Sequence, residues 1–455
     1  MSPRGASLSR AVSLLAALLA LLLALLLAGC SENGQVNQEE TTVSGGENTQ
    51  RERTGGLAAT AAPEYGYTHT SPSGDRTFDG AADLPDSEPL DVELSGEPAW
   101  VAGVPTESGT AWVAVLEDGR AEAFRVGGEG EGEASPAEIT PERLPPGAPP
   151  LLKYEDGSLE LVPAGGEASD LTHPMPLAEG EGLLVIGEGG ELYVRRGGET
   201  EAVPDAPEAL PDARAVRSSS GEIAVLTGPT SRYEHDVLGD GVEANTLTVL
   251  RPAPDGLRTR ESFEAASGGI FEEVSPMWLE RDGDELLAVT ESVEELGARI
   301  SVYTPGGQLV AAGPFIGEAM KWRHLTAAAP FGGEIGLSAT LTPHIGGVAE
   351  FYEFGGGELE IAARAPGHAT HRLDSRNLDT ALAGDLDGDG QTELLAPDPS
   401  YTTLNGIGKT PDGAREEWSI PVGGEISTNL AAAAGADGDA VIATGRADGV
   451  LRIWR

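Results

Sequence analysis

Asp385, Asp387, Asp389, Gln391 and Glu393 occupy positions 1, 3, 5, 7 and 9 of the run Asp385-Leu-Asp-Gly-Asp-Gly-Gln-Thr-Glu-Leu-Leu. Carboxylates at alternate positions of a tight loop can converge on one hard cation. Gly390 permits the sharp bend, and Gln391 can supply its backbone carbonyl. Oxygen donors in this number suit Ca²⁺ better than Zn²⁺ or Cu²⁺. The plain alternative is a polar turn between two strands. An EF-hand does not fit, because it needs a helix on each side and glutamate at position 12, where Ala396 stands.

A second polar group comes from the histidines. Five of the seven fall between residues 235 and 371, beside arginine, tyrosine, proline or acidic residues, in Arg232-Tyr-Glu-His-Asp236, Lys321-Trp-Arg-His324, Thr342-Pro-His344 and His368-Ala-Thr-His371-Arg372. Such loops, gathered at one end of a rigid scaffold, suit ligand binding. Tyr233, His235, Trp322, Arg323, His324, His344, His371 and Arg376 are therefore the candidate pocket. Strand capping by the same side chains, or a histidine metal site, are the competing readings. No nucleophile motif, phosphate loop or zinc helix accompanies them, so catalysis has no support beyond the histidines.

The one cysteine, Cys30, stands at the end of an N-terminal segment with three parts. Arg4 and Arg10 precede an apolar run, Ala11 to Leu27, and Leu27-Ala-Gly-Cys30 closes it with small residues. This is a secretory signal layout, with a retained membrane anchor as the alternative. A lone cysteine cannot form an internal disulfide, so covalent anchoring suits it better. Residues 31 to 83 are rich in Gly, Ser, Thr, Glu and Asn and read as a flexible tether. The expected division is 1–29 signal peptide, 30–83 lipidated N-terminus and linker, and 84–455 folded domain.

What must position the two polar groups is an array of short strands. The 63 glycines and 32 prolines recur in small clusters, which leaves little room for long helices. From about residue 84, an apolar strand, a turn and a second apolar strand repeat eight times. The pairs begin at Trp112 and Ala121, Leu151 and Leu159, Leu183 and Leu192, and Ile223 and Leu247. They continue at Leu286 and Arg299, Ile335 and Ala349, Leu394 and Leu404, and Val441 and Leu451. Their spacing is close to the span of one four-stranded propeller blade, about 40–50 residues. A ring of blades also protects strand edges better than a sandwich or open barrel. The expectation is an all-β chain forming a single β-propeller of eight blades, or seven. Its last strand should close the ring against a strand near Leu90–Leu94. If the acidic loop joins the first and second strands of its blade, the histidine loops emerge on the opposite face.

The acidic loop resembles the calcium loops of FG-GAP or VCBS-type propeller repeats, as in the integrin α-subunit head. Degenerate copies at Glu280–Leu286, Phe331–Ile335 and Asp437–Val441 keep its phase, and the resemblance covers roughly residues 220–455. It implies a structural calcium ion between the first two strands of a blade. Leu-Ala-Gly-Cys30 resembles the bacterial lipobox, which implies lipidation of Cys30. By the sorting rule of Gram-negative lipoproteins, Ser31 after it implies the outer membrane, facing the periplasm or the cell surface.

The formal net charge of -45 makes nucleic acid and anionic lipid surfaces poor partners. The expected function is a monomeric cell-envelope lipoprotein, held to the membrane by its N-terminal lipid, that binds or scaffolds a protein, peptide or glycan. Two alternatives remain. One is an outer-membrane assembly factor, since Ala447–Trp454 resembles the strand signature of such propeller lipoproteins. The other is an enzyme using the histidine loops.

Overall fold

The computed structural model describes residues 63–127, 133–178, 182–254 and 256–455. The signal-like segment, Cys30 and most of the expected linker lie outside them. Nearly everything described is strand or turn, and a 3-10 turn spans Phe331–Gly333.

Each of the eight paired runs read from the sequence is an antiparallel hairpin. Outer strands join them to make four-stranded units. Blade 1 is built from Pro98–Thr106, Gly109–Leu116, Ala121–Gly127 and Ala134–Ala137. Blade 3 begins at Met175–Pro176, blade 4 at Val216–Arg217, blade 5 at Met277–Arg281, blade 6 at Arg323–Ala329 and blade 7 at Leu382–Asp385. Blades 4 and 5 are joined into one nine-stranded sheet through Ile270–Phe271. There are therefore seven separate sheets but eight four-stranded units. Blade 8 takes three strands from Ile426–Ala434, Ala440–Arg446 and Val450–Trp454 and its fourth from Leu90–Glu93, which pairs antiparallel with the C-terminal strand. This is the closure expected from the sequence.

Shared cores run around the ring. Val101 and Trp112 of blade 1 pack with Ala443 and Ile453 of blade 8, and Trp100 and Val113 pack with Leu152 and Tyr154 of blade 2. One continuous core passes through blades 2 to 5, and further clusters link 5 to 6, 6 to 7 and 7 to 8. Inner strands are buried on both sides, so Gly109–Leu116 and Arg323–Ala329 are buried throughout. Outer strands alternate instead, as Glu358–Pro366 does, because one side meets water. Asp156-Gly157 and Asp282-Gly283 have positive φ at both positions, the mirror-image turn that two-residue hairpins require.

One boundary read from the sequence is wrong. Residues 63–83, assigned to the flexible linker, belong to the folded body and line the inside of the ring. Glu64–Gly66 supplies the inner strand of blade 2, pairing with Leu152–Glu155. A side chain at Gly66 would collide with the Gly103 carbonyl of blade 1. Asn429 of blade 8 donates from Nδ2 to the Thr68 carbonyl at 2.9 Å, and the Tyr67 ring lies 5.8 Å from that of His173, before blade 3. Backbone N–H groups of Arg217, Trp278, Ala328 and Ala383 then donate in turn to the carbonyls of Pro72, Ser73, Asp75 and Arg76. Thr77–Ala81 runs parallel beside Leu382–Asp385. The segment thus touches all eight blades. It is held by main-chain hydrogen bonds and by Tyr67 and Leu84, both buried, which its polar composition conceals.

Candidate functional site

Neighbouring strands of a blade are antiparallel, apart from the outer strand of blade 2, Ile139–Thr140, which runs parallel to Ser158–Leu161, so turns between second and third strands emerge with the blade-to-blade connections on one face, here called the loop face. Turns between first and second strands emerge on the other. The acidic loop joins Leu382–Asp385 to Glu393–Pro397, the first two strands of blade 7. Its degenerate copies occupy the corresponding place in blades 5, 6 and 8. The copy at 280–286 has closed to the Asp282-Gly283 hairpin turn.

Of the five expected ligands, Asp385, Asp387 and Glu393 bring carboxylate oxygens within 4.8 Å of one another. Asp389 turns away. Its Oδ1 accepts from the Gln391 N–H at 2.8 Å and its Oδ2 from Gln391 Nε2 at 3.0 Å, so neither side chain joins the group. The Leu386 N–H donates to Glu393 Oε2 at 2.9 Å and the Gly390 N–H to Asp385 Oδ2 at 3.1 Å, which fixes both acids. Their other oxygens, Asp385 Oδ1 and Glu393 Oε1, are buried without a hydrogen-bond partner. Burial, with Asp387, Asp389 and Asp385 nearby, pushes the Glu393 carboxyl up to about 8. Orphaned buried oxygens beside converging carboxylates fit a hard divalent cation.

The histidine loops do meet on the loop face. Trp322 is nearly parallel to His324 at a centroid distance of 5.6 Å and to His344 at 6.5 Å, and it takes His371 edge-on at 4.9 Å. Trp322 Nε1 donates to the Glu272 carbonyl at 3.0 Å. Glu272 also pairs with His235, whose ring meets Tyr233 edge-on. Arg323 Nε donates to Glu350 Oε2 at 2.7 Å, and its Nη1 donates to the Ala298 and Pro314 carbonyls.

Tyr233, Trp322, Arg323, His324 and His371 are nonetheless buried, and they tie the loops of blades 4 to 7 to one another. Burial lowers the pKa of His324 and His344 and brings His371 to about 4, so these imidazoles are neutral at pH 7. Of the eight, only Arg376 lines a cavity that opens on this face. It reaches Asp212 at 2.9 Å and Asp240 at 2.6 Å.

That cavity, about 460 Å³, opens between the loops of blades 7, 8 and 1. Trp100, Glu117, Arg372, Arg376, Tyr401 and Glu425 define it. The Arg372 guanidinium sits 4.0 Å over the Tyr401 ring and 2.8 Å from Glu425. Beneath it Asp379 is fully buried between Arg76 (2.9 Å) and Arg214, which hold its carboxyl well below the usual range. Trp100, Arg372, Tyr401 and Glu425 are separated by up to hundreds of residues, so no local pattern marked them. His69 and His173, the two histidines outside the 235–371 cluster, stack inside the ring at 5.2 Å. They meet only because the inner segment crosses there.

No family model matches the chain, and no curated protein matches it. Among solved structures it is similar to BBS1N from a complex with ARL6DN, at 10% identity and a TM-score of 0.42, over 82% of this chain and 97% of that one. It is also similar to a chain of the Mitotic Checkpoint Complex, at 11% identity and a TM-score of 0.41, over 83% and 96% of the two chains. The propeller itself is established by the strand pairings and shared cores described above.

Proposed function

We propose that this chain is a cell-envelope binding or scaffolding module, lipid-anchored at Cys30, whose ring offers its loop face to a protein, peptide or glycan. The observation that carries this reading is the 460 Å³ cavity, where Arg372, Glu117 and Glu425 meet Trp100 and Tyr401 at loop ends of a rigid ring. Aromatic faces beside charged donors and acceptors can hold a sugar ring or an extended peptide. A structural Ca²⁺ in the FG-GAP or VCBS-like loop would be held by Asp385, Asp387 and Glu393, and it would neutralise their charge and brace blade 7 from the opposite face.

A photo-crosslinker at Ser427, on the cavity wall, is expected to capture a discrete envelope component. The same probe at Glu360, on the outer strand of blade 6, should not. Capture at both positions, or at neither, overturns the assignment of the loop face. Radiolabelled palmitate should enter the wild type and not Cys30→Ser, which should leave the membrane fraction. Equal labelling of the two would remove the anchor.

A further inference from the structure

Among the described residues, seven large apolar side chains are exposed: Leu171, Val242, Leu296, Leu309, Met320, Ile345 and Leu373. An even scatter of single apolar residues would need no explanation. Here the distribution is one-sided. Val242 and Ile345 lie in the second-to-third turns of blades 4 and 6, and Leu296 in that of blade 5. Leu171, Met320 and Leu373 lie on the connections into blades 3, 6 and 7. All six are on the loop face; only Leu309, which begins an outer strand, is not. Ile345 and Leu373 are the most exposed, at 66% and 58%.

The five of them on blades 4 to 7 share their loops with exposed carboxylates: Glu234, Asp236, Glu294, Glu295, Glu318 and Asp374. The arginines of these loops are already engaged. Arg232 donates to the Gly268 and Gly269 carbonyls, Arg372 pairs with Glu425, and Arg376 pairs with Asp212 and Asp240. The loops are also fixed from below. Val237, Leu238, Val274, Ala298, Trp322 and Leu378 form a separate small core under them. The Asp374 N–H donates to the Val237 carbonyl, Ala298 to Lys321, Thr342 to Trp322 and Gly317 to Leu296. Apolar side chains held out on such a support lose little entropy when covered.

We propose that these loops of blades 4 to 7 form a docking surface for a cationic protein segment with apolar anchors. This proposal rests on reading the loop face as the binding face; the surface adjoins the cavity between blades 7, 8 and 1, which Asp374 also lines, and extends from there over blades 4 to 6. Apolar contact supplies the affinity, and the carboxylates select Lys- or Arg-bearing partners and repel anionic lipid.

The test uses a synthetic peptide alternating leucine and lysine, its glutamate counterpart, and vesicles of phosphatidylglycerol and phosphatidylethanolamine. The lysine peptide should bind and weaken with salt, while the glutamate peptide and the vesicles should not bind. Ile345→Ser with Leu373→Ser, and separately Glu294→Lys with Glu295→Lys, should each weaken binding at least about tenfold, roughly 1.4 kcal/mol. Glu358→Lys with Glu360→Lys, on the outer strand of blade 6, should leave it unchanged; melting curves check that each variant folds. Binding that ignores the loop variants but is lost in Arg372→Ala overturns this surface and leaves the cavity reading standing. Binding lost in neither overturns both. Vesicle binding abolished by Ile345→Ser with Leu373→Ser would make the patch a lipid contact and overturn the protein partner.

Discussion

At the scale of single residues, the charge states of three buried acids pull stability in opposite directions with pH. Glu393 and Glu273 are both pushed up to about 8 by burial, far above the unfolded value near 4.3. A carboxyl that keeps its proton longer in the folded state loses stability as pH rises from about 4.5 toward 8. Asp379, clamped by Arg76 and Arg214, is shifted the other way, so its contribution is present above about 4 and is lost as pH falls below. Below about pH 6.5 the buried imidazoles of His324 and His371, whose pKa values are lowered, oppose this loss, so without metal the melting temperature should decline from about pH 6.5 toward pH 8. Calcium would take the place of the Glu393 proton. With a dissociation constant of roughly 10⁻⁴–10⁻³ M, typical of extracellular sites, 10 mM Ca²⁺ should restore about 1.4–2.7 kcal/mol at pH 8. Melting curves from pH 5 to 8 in EDTA and in Ca²⁺ measure this. Glu393→Gln should abolish the response, and a variant that still responded fully would remove the loop as the site. The converging carboxylates of this loop were legible because they are local in sequence. That Asp389 and Gln391 satisfy each other was not, since spacing alone does not say which carboxylate turns inward.

At the scale of elements, hairpins were easy to read and the inner segment was not, for one physical reason. A hairpin announces itself through alternation and a turn dipeptide such as Asp156-Gly157, both local properties. The segment 63–84 is held by hydrogen bonds that inner strands donate to its carbonyls, and a carbonyl carries no side-chain signature. Its buried ion-pair tie is Arg76, which donates to Asp379 at 2.9 Å and to the Leu325 carbonyl at 3.0 Å. Likewise the spacing of the eight candidate pocket residues does not show their burial, which depends on how four loops fold over one another. Asp379→Asn would leave Arg76 and Arg214 buried without a counter-charge. Breaking a buried pair in this way costs about 3–5 kcal/mol. Urea unfolding should show a loss of that order, and an effect below about 1 kcal/mol would mean that the inner segment is not anchored there. Trp322→Ala should cost a similar amount through its lost packing, about 3–5 kcal/mol, and loosen blades 4 to 7 together.

At the scale of the whole molecule, closure joins residues that are far apart in the chain. Leu90–Glu93 and Val450–Trp454 form one hairpin-like pair, with Asp91 opposite Arg452 and an ion pair between them at 2.6 Å. The sequence supported this closure because Val450–Trp454 is an apolar strand that needs a partner, and an unpaired edge there would invite aggregation. If the ring opens at this seam before it melts, a covalent staple across it should delay unfolding of every blade. Cysteines at Asp91 and Arg452, in a variant with Cys30 replaced, would close a loop of most of the chain. The exposed ion pair lost in making them is worth at most about 1 kcal/mol. Loop closure of this length can return up to about 5 kcal/mol, less any strain at the bridge. The oxidised variant should therefore melt several degrees above its reduced form, in a single transition read equally by tryptophans near the seam, Trp112 and Trp454, and by Trp322 across the ring. Identical melting of the two forms would mean that unfolding starts elsewhere, with the inner segment, which touches every blade, as the element to examine next.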